Sequence, residues 1–197
     1  AINAQSILFS ETNFSLDELK YEYPDVGLFD ESSGKSDIEV LRYYTEAGAQ
    51  RRYPDGIPEK VRKALDYEYQ LVDEMDYSKY FLTVFDIVNF ARSEGILCQG
   101  RGSAANSSIC FCLGITSVDP TKVDLLFDRF ISKERNEPPD IDVDFENIRR
   151  EEVIQYIYQK YGREHAGIAG VVVTYKARSA LREIAKALSL SNDIINA

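Results

Sequence analysis

The chain has 197 residues, 44% of them hydrophobic, which suits one large domain or a domain with part of another and gives material for a real core. A net charge of −10 argues against a uniformly basic nucleic-acid binder, and a single histidine, His165, leaves little room for histidine-centred metal or triad chemistry. No apolar run is long enough to span a bilayer, and the start, "AINAQSILFS", lacks the basic and apolar regions of a signal peptide.

Residues 1–50 read as irregular, with polar turns such as "DESSGKSD", and then as helix. The acidic residues concentrate between positions 11 and 76. In "GIPEKVRKALDYEYQLVDEM", Pro58 lies near a helix start and Val61, Leu65, Val72 and Met75 recur at helical spacing. "YFLTVFDIVNFARSEG" predicts a more apolar helix that stops near Gly95. "ILCQ" predicts a short buried strand. "GRGSAANSSICFCLG" follows as a glycine turn and a helix opening on Ser103 as its N-cap, with Gly114 at its end. Cys110 and Cys112 sit in an apolar run without zinc-site spacing and, with Cys98, are expected as reduced thiols. "VDLLFDRFIS" is a short apolar element carrying Arg129, and "SKERNEPP" a loop carrying Arg135.

In "PPDIDVDFEN", Asp140, Asp142 and Asp144 alternate with Ile141, Val143 and Phe145, the period of a strand with one acidic and one apolar face. The helix "RREEVIQYIYQKYG" comes next, then a predicted strand, "GIAGVVVTY", and a helix, "KARSALREIAKALSL". In that last helix Arg178, Arg182 and Lys186 lie on one ridge, and Leu181, Ile184, Ala185 and Leu188 form a stripe expected to face inward. Between Lys160 and Lys186 the basic residues Lys160, Arg163, Lys176, Arg178, Arg182 and Lys186 outnumber Glu164 and Glu183, so this part can face a polyanion. Short strands alternating with helices, without a strict βαβ rhythm, indicate an α+β fold.

Two motifs carry chemistry. A strand, a glycine turn and a helix start at "GRGS" build an anion site from free amides, the helix dipole and Arg101, although most such starts are only caps. Alternate carboxylates on a strand lie ~6.6 Å apart. They can lean onto two divalent ions about 3.5–4 Å apart, the arrangement of two-metal phosphoryl transfer. Oxygen-only donors favour magnesium. The plain alternative is a solvated strand face, or aspartates paired with Arg129, Arg135, Arg149 or Arg150. A calcium loop counted from Asp140 to Glu151 is disfavoured, because its sixth position, which needs glycine, is Phe145.

A Gly-Ser helix start followed by a D-x-D strand resembles the nucleotidyltransferase palm of beta-type polymerases. "GRGSAANSSICFCLGIT", "VDPTKVDLLFDRFISKERNEPPDIDVDF" and "RREEVIQYIYQKYGRE" closely resemble the bacterial C-family DNA polymerases, the group of the polymerase III alpha subunit. "ILCQGRGS", "EPPDIDVDFE" and "YKARSALREIAKALSL" look most like its error-prone, damage-induced paralogue. The resemblance covers most of the chain, from "FSLDELKYEYP" onward.

The resemblance implies a beta-type palm with a small mixed sheet over residues 1–148 and the helical beginning of a thumb over 149–197. It implies that Asp140 and Asp142 are the metal-binding catalytic pair, with Asp144 in support, holding two Mg2+ ions in the complete enzyme. Gly102 and Ser103 would hold the incoming triphosphate, with Arg101, Arg129 and Arg135 along the phosphate path. Lys176, Arg178, Arg182 and Lys186 would grip primer-template DNA. The third catalytic aspartate and a phosphate-binding lysine of the family would lie beyond residue 197. The expectation is therefore a piece of a longer cytoplasmic enzyme, inactive alone, that acts on deoxynucleoside triphosphates. A sliding clamp and mutagenesis accessory proteins would bind through regions outside this chain. The alternatives are the replicative alpha subunit and a DNA-binding piece without catalysis.

Overall fold

The computed structural model describes residues 5, 15, 22–27, 34–124, 126–131, 138–191 and 193. The loop 132–137, and with it Arg135, lies outside the described residues, as does most of the acid-rich stretch before residue 34. The chain divides into two compact units, residues 1–166 and 167–197.

The first unit is built on three helices of equal length: α1 (Asp37–Arg52), α2 (Glu59–Glu74) and α3 (Ser78–Ser93). Each begins where the sequence offers a boundary. Before α1, the Glu39 carboxylate accepts from both the amide and the hydroxyl of Ser36. The backbone hydrogen bond from Ser36, followed by its hydroxyl, holds Glu39 below the usual carboxylate range. Pro58, with φ −59°, precedes α2. Gly95, two residues after the end of α3, has a φ of +71° and turns the chain toward the sheet.

α1 and α2 pack against a short fourth helix, α4 (Ser108–Cys112), which is buried throughout, and α3 packs on α1. Leu41, Val61, Leu65, Tyr69, Val72, Phe81 and Ile109 are each at most 1% exposed and form the centre of this core. Arg62 of α2 clasps Glu46 of α1 through both carboxylate oxygens, at 2.5 and 2.9 Å. Cys110 and Cys112 are buried and unpaired, as their apolar setting predicts. Burial pushes the Cys112 thiol up to about 12, so it is inert rather than nucleophilic.

Beside the helices lies a two-stranded antiparallel sheet of β1 (Cys98–Arg101) and β2 (Asp142–Phe145). The elements agree with an α+β fold, but among the described residues the sheet is antiparallel rather than mixed. α5 (Arg150–Tyr161) follows β2 and packs on α3. There Phe90 stacks on Tyr156 with centroids 3.8 Å apart, and Val153, Ala91 and Ile96 close a second small core.

The second unit contains α6 (Ala177–Ala187). Two expectations fail in it. "GIAGVVVTY" forms no strand, and Val171, Val172 and Val173 are 79, 85 and 71% exposed. β-branched residues favour extended backbone, but a strand also needs a hydrogen-bonded neighbour, which this unit does not supply among its described residues. The stripe of α6 does not face inward either: Leu181, Ile184 and Leu188 are exposed, because its own unit offers no second described helix to cover it. No helix among the described residues is long and apolar enough to cross a membrane.

Candidate active site

The antiparallel ladder sets the end of the "GRGS" strand against the start of the aspartate strand. Arg101 pairs with Asp142, Gly100 with Val143, Gln99 with Asp144 and Cys98 with Phe145. The alternation read from the sequence holds in β2. Asp140, Asp142 and Asp144 are exposed, while Ile141, Val143 and Phe145 are half-buried against the cores.

Two glycines make this approach possible. Gly100 donates its amide to the Ile115 carbonyl at 2.7 Å, and a Cβ there would stand 2.6 Å from that oxygen. Gly102 has a φ of +67°, and a Cβ on it would stand 2.9 Å from Asp142 Oδ2. The turn is therefore open to an acidic oxygen only because it lacks a side chain. Ser103 reinforces the contact by donating its hydroxyl to the Asp140 carbonyl at 3.1 Å. Arg101 reaches two positions along the facing strand and binds Asp144 with both ends of its guanidinium, Nε to Oδ2 at 2.5 Å and Nη2 to Oδ1 at 2.7 Å. Among the described residues the arginine that pairs with Asp144 is thus Arg101, where the sequence pointed to Arg129, Arg135, Arg149 or Arg150, of which Arg135 lies outside the described residues.

The local helix start differs from expectation. Gly102–Asn106 is a 3-10 turn, and the helix proper is capped by Ser107, whose hydroxyl accepts from the Cys110 amide at 3.1 Å. The small residues Ala104 and Ala105 let the chain tighten before the second serine pair, and Ser107 outcompetes Ser103 as cap. The first amides of α4 already hold an anion. The Glu68 carboxylate accepts from Ser108 N at 2.6 Å, from Ile109 N at 2.9 Å and from the Ser107 hydroxyl at 2.8 Å. Glu68 is 1% exposed, and its burial raises it to about 7 against the pull of these donors. Nothing in the helical spacing of α2 marks it; an acidic residue on the inward stripe was the one available signal.

Arg129 sits in a second 3-10 turn, Phe127–Arg129, packed beside Gly102–Asn106, with Leu126 N donating to Asn106 Oδ1 at 3.3 Å. Tyr80 of α3 is another residue the sequence did not single out. Its hydroxyl accepts from the Ile141 amide at 3.3 Å, between Asp140 and Asp142. Burial, and after it the charges of these two aspartates, raise the Tyr80 phenol above its ordinary range.

Arg101, Gly102, Ser103, Asp140, Asp142 and Asp144 therefore share one edge of the sheet, with the turn of Arg129 alongside. Lys176, Arg178, Arg182 and Lys186 belong to the second unit, where all four are exposed and Lys186 pairs with Glu183 at 2.7 Å. Among the described residues no three acidic, histidine or cysteine side chains gather to hold a metal ion. Asp144 is turned to Arg101 instead. The exposed oxygen donors of Asp140 and Asp142 suit a hard divalent cation, but they are two ligands of a set that needs more.

Comparison with known proteins covers most of the chain. A family model described as the bacterial DNA polymerase III alpha NTPase domain matches residues 39–197. The error-prone DNA polymerase 1 of Rhizobium meliloti (strain 1021) is 60% identical over 189 residues, which cover 96% of this chain and 17% of that protein. The error-prone DNA polymerase of Rhodopirellula baltica is 61% identical over 184 residues, 93% of this chain and 16% of the relative. That of Methylococcus capsulatus is 57% identical over 192 residues, 97% of this chain and 18% of the relative. The chain thus spans less than a fifth of the length of these relatives.

Proposed function

The chain belongs to the bacterial DNA polymerase III alpha family, and from that premise we propose that it forms the nucleotide-binding floor of an error-prone DNA polymerase. The observation that carries this reading is the close approach of Asp142 to Gly102, which the carboxylate can make only because Gly102 has no Cβ. In this reading residues 1–148 are the palm and 149–197 the beginning of the thumb.

The Gly102–Ser103 turn offers amides to the triphosphate of an incoming deoxynucleotide. Arg101 and Arg129, with Arg135, bring positive charge to the same path. Asp140 and Asp142 hold divalent cations, with Mg2+ the ion best suited to their oxygens. Such cations, when bound, lower the pKa of the attacking hydroxyl and offset the charge of the leaving pyrophosphate. The primer 3′ hydroxyl attacks the alpha phosphate in line, and the protein's share of catalysis is positioning and charge neutralisation. Asp144, through Arg101, fixes the guanidinium at the edge of this path. Arg178 and Arg182 grip primer-template DNA by its phosphates. Further ligands, a clamp and accessory proteins engage other parts of the complete enzyme, which copies damaged templates in the cytoplasm.

The test is primer extension with magnesium by the full-length polymerase carrying Asp140→Asn or Asp142→Asn. Each change is expected to lower the rate by at least about 100-fold, the scale of losing one charge-stabilising group in an active site. Undiminished extension by either variant would end the proposal.

A further inference from the structure

One peptide of the acidic segment is held by side chains and not by the sheet. The last pair of the ladder is Arg101 with Asp142, so the Asp140–Ile141 peptide unit lies outside it. Two hydroxyls hold that unit, one at each polar end. Ser103 donates its hydroxyl to the Asp140 carbonyl at 3.1 Å, and the Ile141 amide donates to the Tyr80 hydroxyl at 3.3 Å. The two hydroxyls come from separate elements, Ser103 from the turn after β1 and Tyr80 from the first turn of α3. On the N-terminal side the unit is preceded by the buried Pro139, whose ring fixes its φ.

We propose that Tyr80 is a positioning residue for the acidic pair: its hydroxyl, opposite that of Ser103, fixes the plane of the Asp140–Ile141 peptide and with it the direction in which the Asp140 side chain leaves the backbone beside Asp142.

The geometry supplies the reason. A peptide is planar, so it turns as one plate about the bonds to its two Cα atoms. A hydrogen bond at one edge leaves the plate free to tilt. Bonds at both the carbonyl and the amide stop the swing, and the Cα–Cβ bond of Asp140 then keeps one direction relative to Asp142. Carboxylates that share cations need this, because a misplacement of ~1 Å in a catalytic site costs rate heavily. Packing does not ask for the hydroxyl. The Tyr80 ring lies 5.3 Å from that of Tyr23 and 6.4 Å from that of Phe81, centroid to centroid, and phenylalanine would keep both contacts. The one hydrogen bond of the Tyr80 hydroxyl among the described residues is to the Ile141 amide. The positioning role rests on the polymerase reading of Asp140.

The test is Tyr80→Phe, read in two ways. In the metal-free 197-residue chain, hydrogen exchange at the Ile141 amide should quicken about 10-fold, the scale of one neutral hydrogen bond. The amides of Gly100 and Glu146, bonded to the carbonyls of Ile115 and Leu97, should keep their rates. In the full-length polymerase, kcat for primer extension should fall, and the Mg2+ concentration at half-maximal rate should rise, each by about 10-fold, as for other groups that orient metal ligands. The KM for deoxynucleotide should stay within about 2-fold. A merely structural loss would lower the melting temperature and the amount of active enzyme without shifting the metal requirement. Unchanged exchange at Ile141, or an unchanged metal requirement in the folded variant, would overturn the proposal. Asp140→Asn assayed alongside tells the two readings apart. If it abolishes extension while Tyr80→Phe extends normally, the positioning role alone fails. If Asp140→Asn extends normally, the polymerase reading fails and the positioning role falls with it.

Discussion

Glu68 belongs to no motif, yet it carries the helix that follows the glycine turn. Its carboxylate meets two backbone amides and a hydroxyl in a buried place. Removing it by Glu68→Ala strands these donors, and buried unsatisfied groups each cost ~1–3 kcal/mol. The expected loss in urea-measured stability is about 3 kcal/mol, with Glu68→Gln losing less because its amide oxygen still accepts. The same residue predicts a pH dependence. Burial raises native Glu68 from 4.5 to about 7, so the folded chain holds this proton more tightly than the unfolded chain does. Its contribution is therefore fully present below about pH 4.5 and is lost as pH rises through 7. The change amounts to roughly 3 kcal/mol at most. Urea titrations between pH 4.5 and 8 should show this decline, and Glu68→Gln should flatten it.

Gly102 is the second informative residue. Alanine there would have to keep a left-handed backbone and push back an Asp142 oxygen that lies 2.9 Å from its Cβ. The backbone alone costs ~1–2 kcal/mol. A Gly102→Ala chain should melt only slightly lower, yet in the full-length enzyme it should raise the KM for nucleotide. A normal KM would place the triphosphate elsewhere.

At the level of elements, α5 is held to α3 by one buried carboxylate. Asp86 accepts from Tyr156 at 2.7 Å, Tyr161 at 2.6 Å and Lys160 at 2.6 Å. Burial, and next the hydrogen bond to Asp86, drive the Tyr161 phenol far above its ordinary range. For Lys160, burial is the largest single influence and pulls down, but the hydrogen bonds to Asp86 and Tyr156 and the nearby negative charge together outweigh it, and the ammonium is held above its usual value. Asp86→Ala leaves a half-buried ammonium and two phenols without their acceptor. Breaking such a buried pair costs ~3–5 kcal/mol, and the partial exposure of Lys160 puts the expected loss at the low end. Thermal melts should show that loss, together with faster hydrogen exchange in 150–161. A neutral Asp86→Ala would mean that the Phe90–Tyr156 stack alone fixes α5.

What the sequence made legible at this scale follows from local physics. The helices over 59–74, 78–93 and 150–161 repeat apolar residues at helical spacing and end on glycine or turn residues, so they are readable one at a time. The acidic strand is readable for the same reason, its period being two. The start of α4 was not. Serines stand at 103, 107 and 108, and only the tertiary arrival of Glu68 from α2 decides which of them caps the helix. Arg101 as the partner of Asp144 was hidden likewise, since it depends on the register of two strands separated by forty residues of chain. In 167–175 the β-branched run carried a real local preference with no strand neighbour among the described residues of its unit to satisfy it.

For the molecule as a whole, the account depends on the glycine turn and the acidic strand lying close enough to take up cations and phosphate together. Charge alone does not locate that place, because acidic residues occur along much of the chain. The most direct measurement is paramagnetic broadening by Mn2+, a magnesium surrogate, in amide spectra of the 197-residue chain, with a deoxynucleoside triphosphate present. The expected result is joint loss of the Gly102, Ser103, Ile141 and Asp142 signals at the lowest Mn2+ levels, and their retention in the Asp140→Asn, Asp142→Asn double variant. Broadening that spares the 102–103 turn, or that persists in the double variant, would contradict a shared cleft.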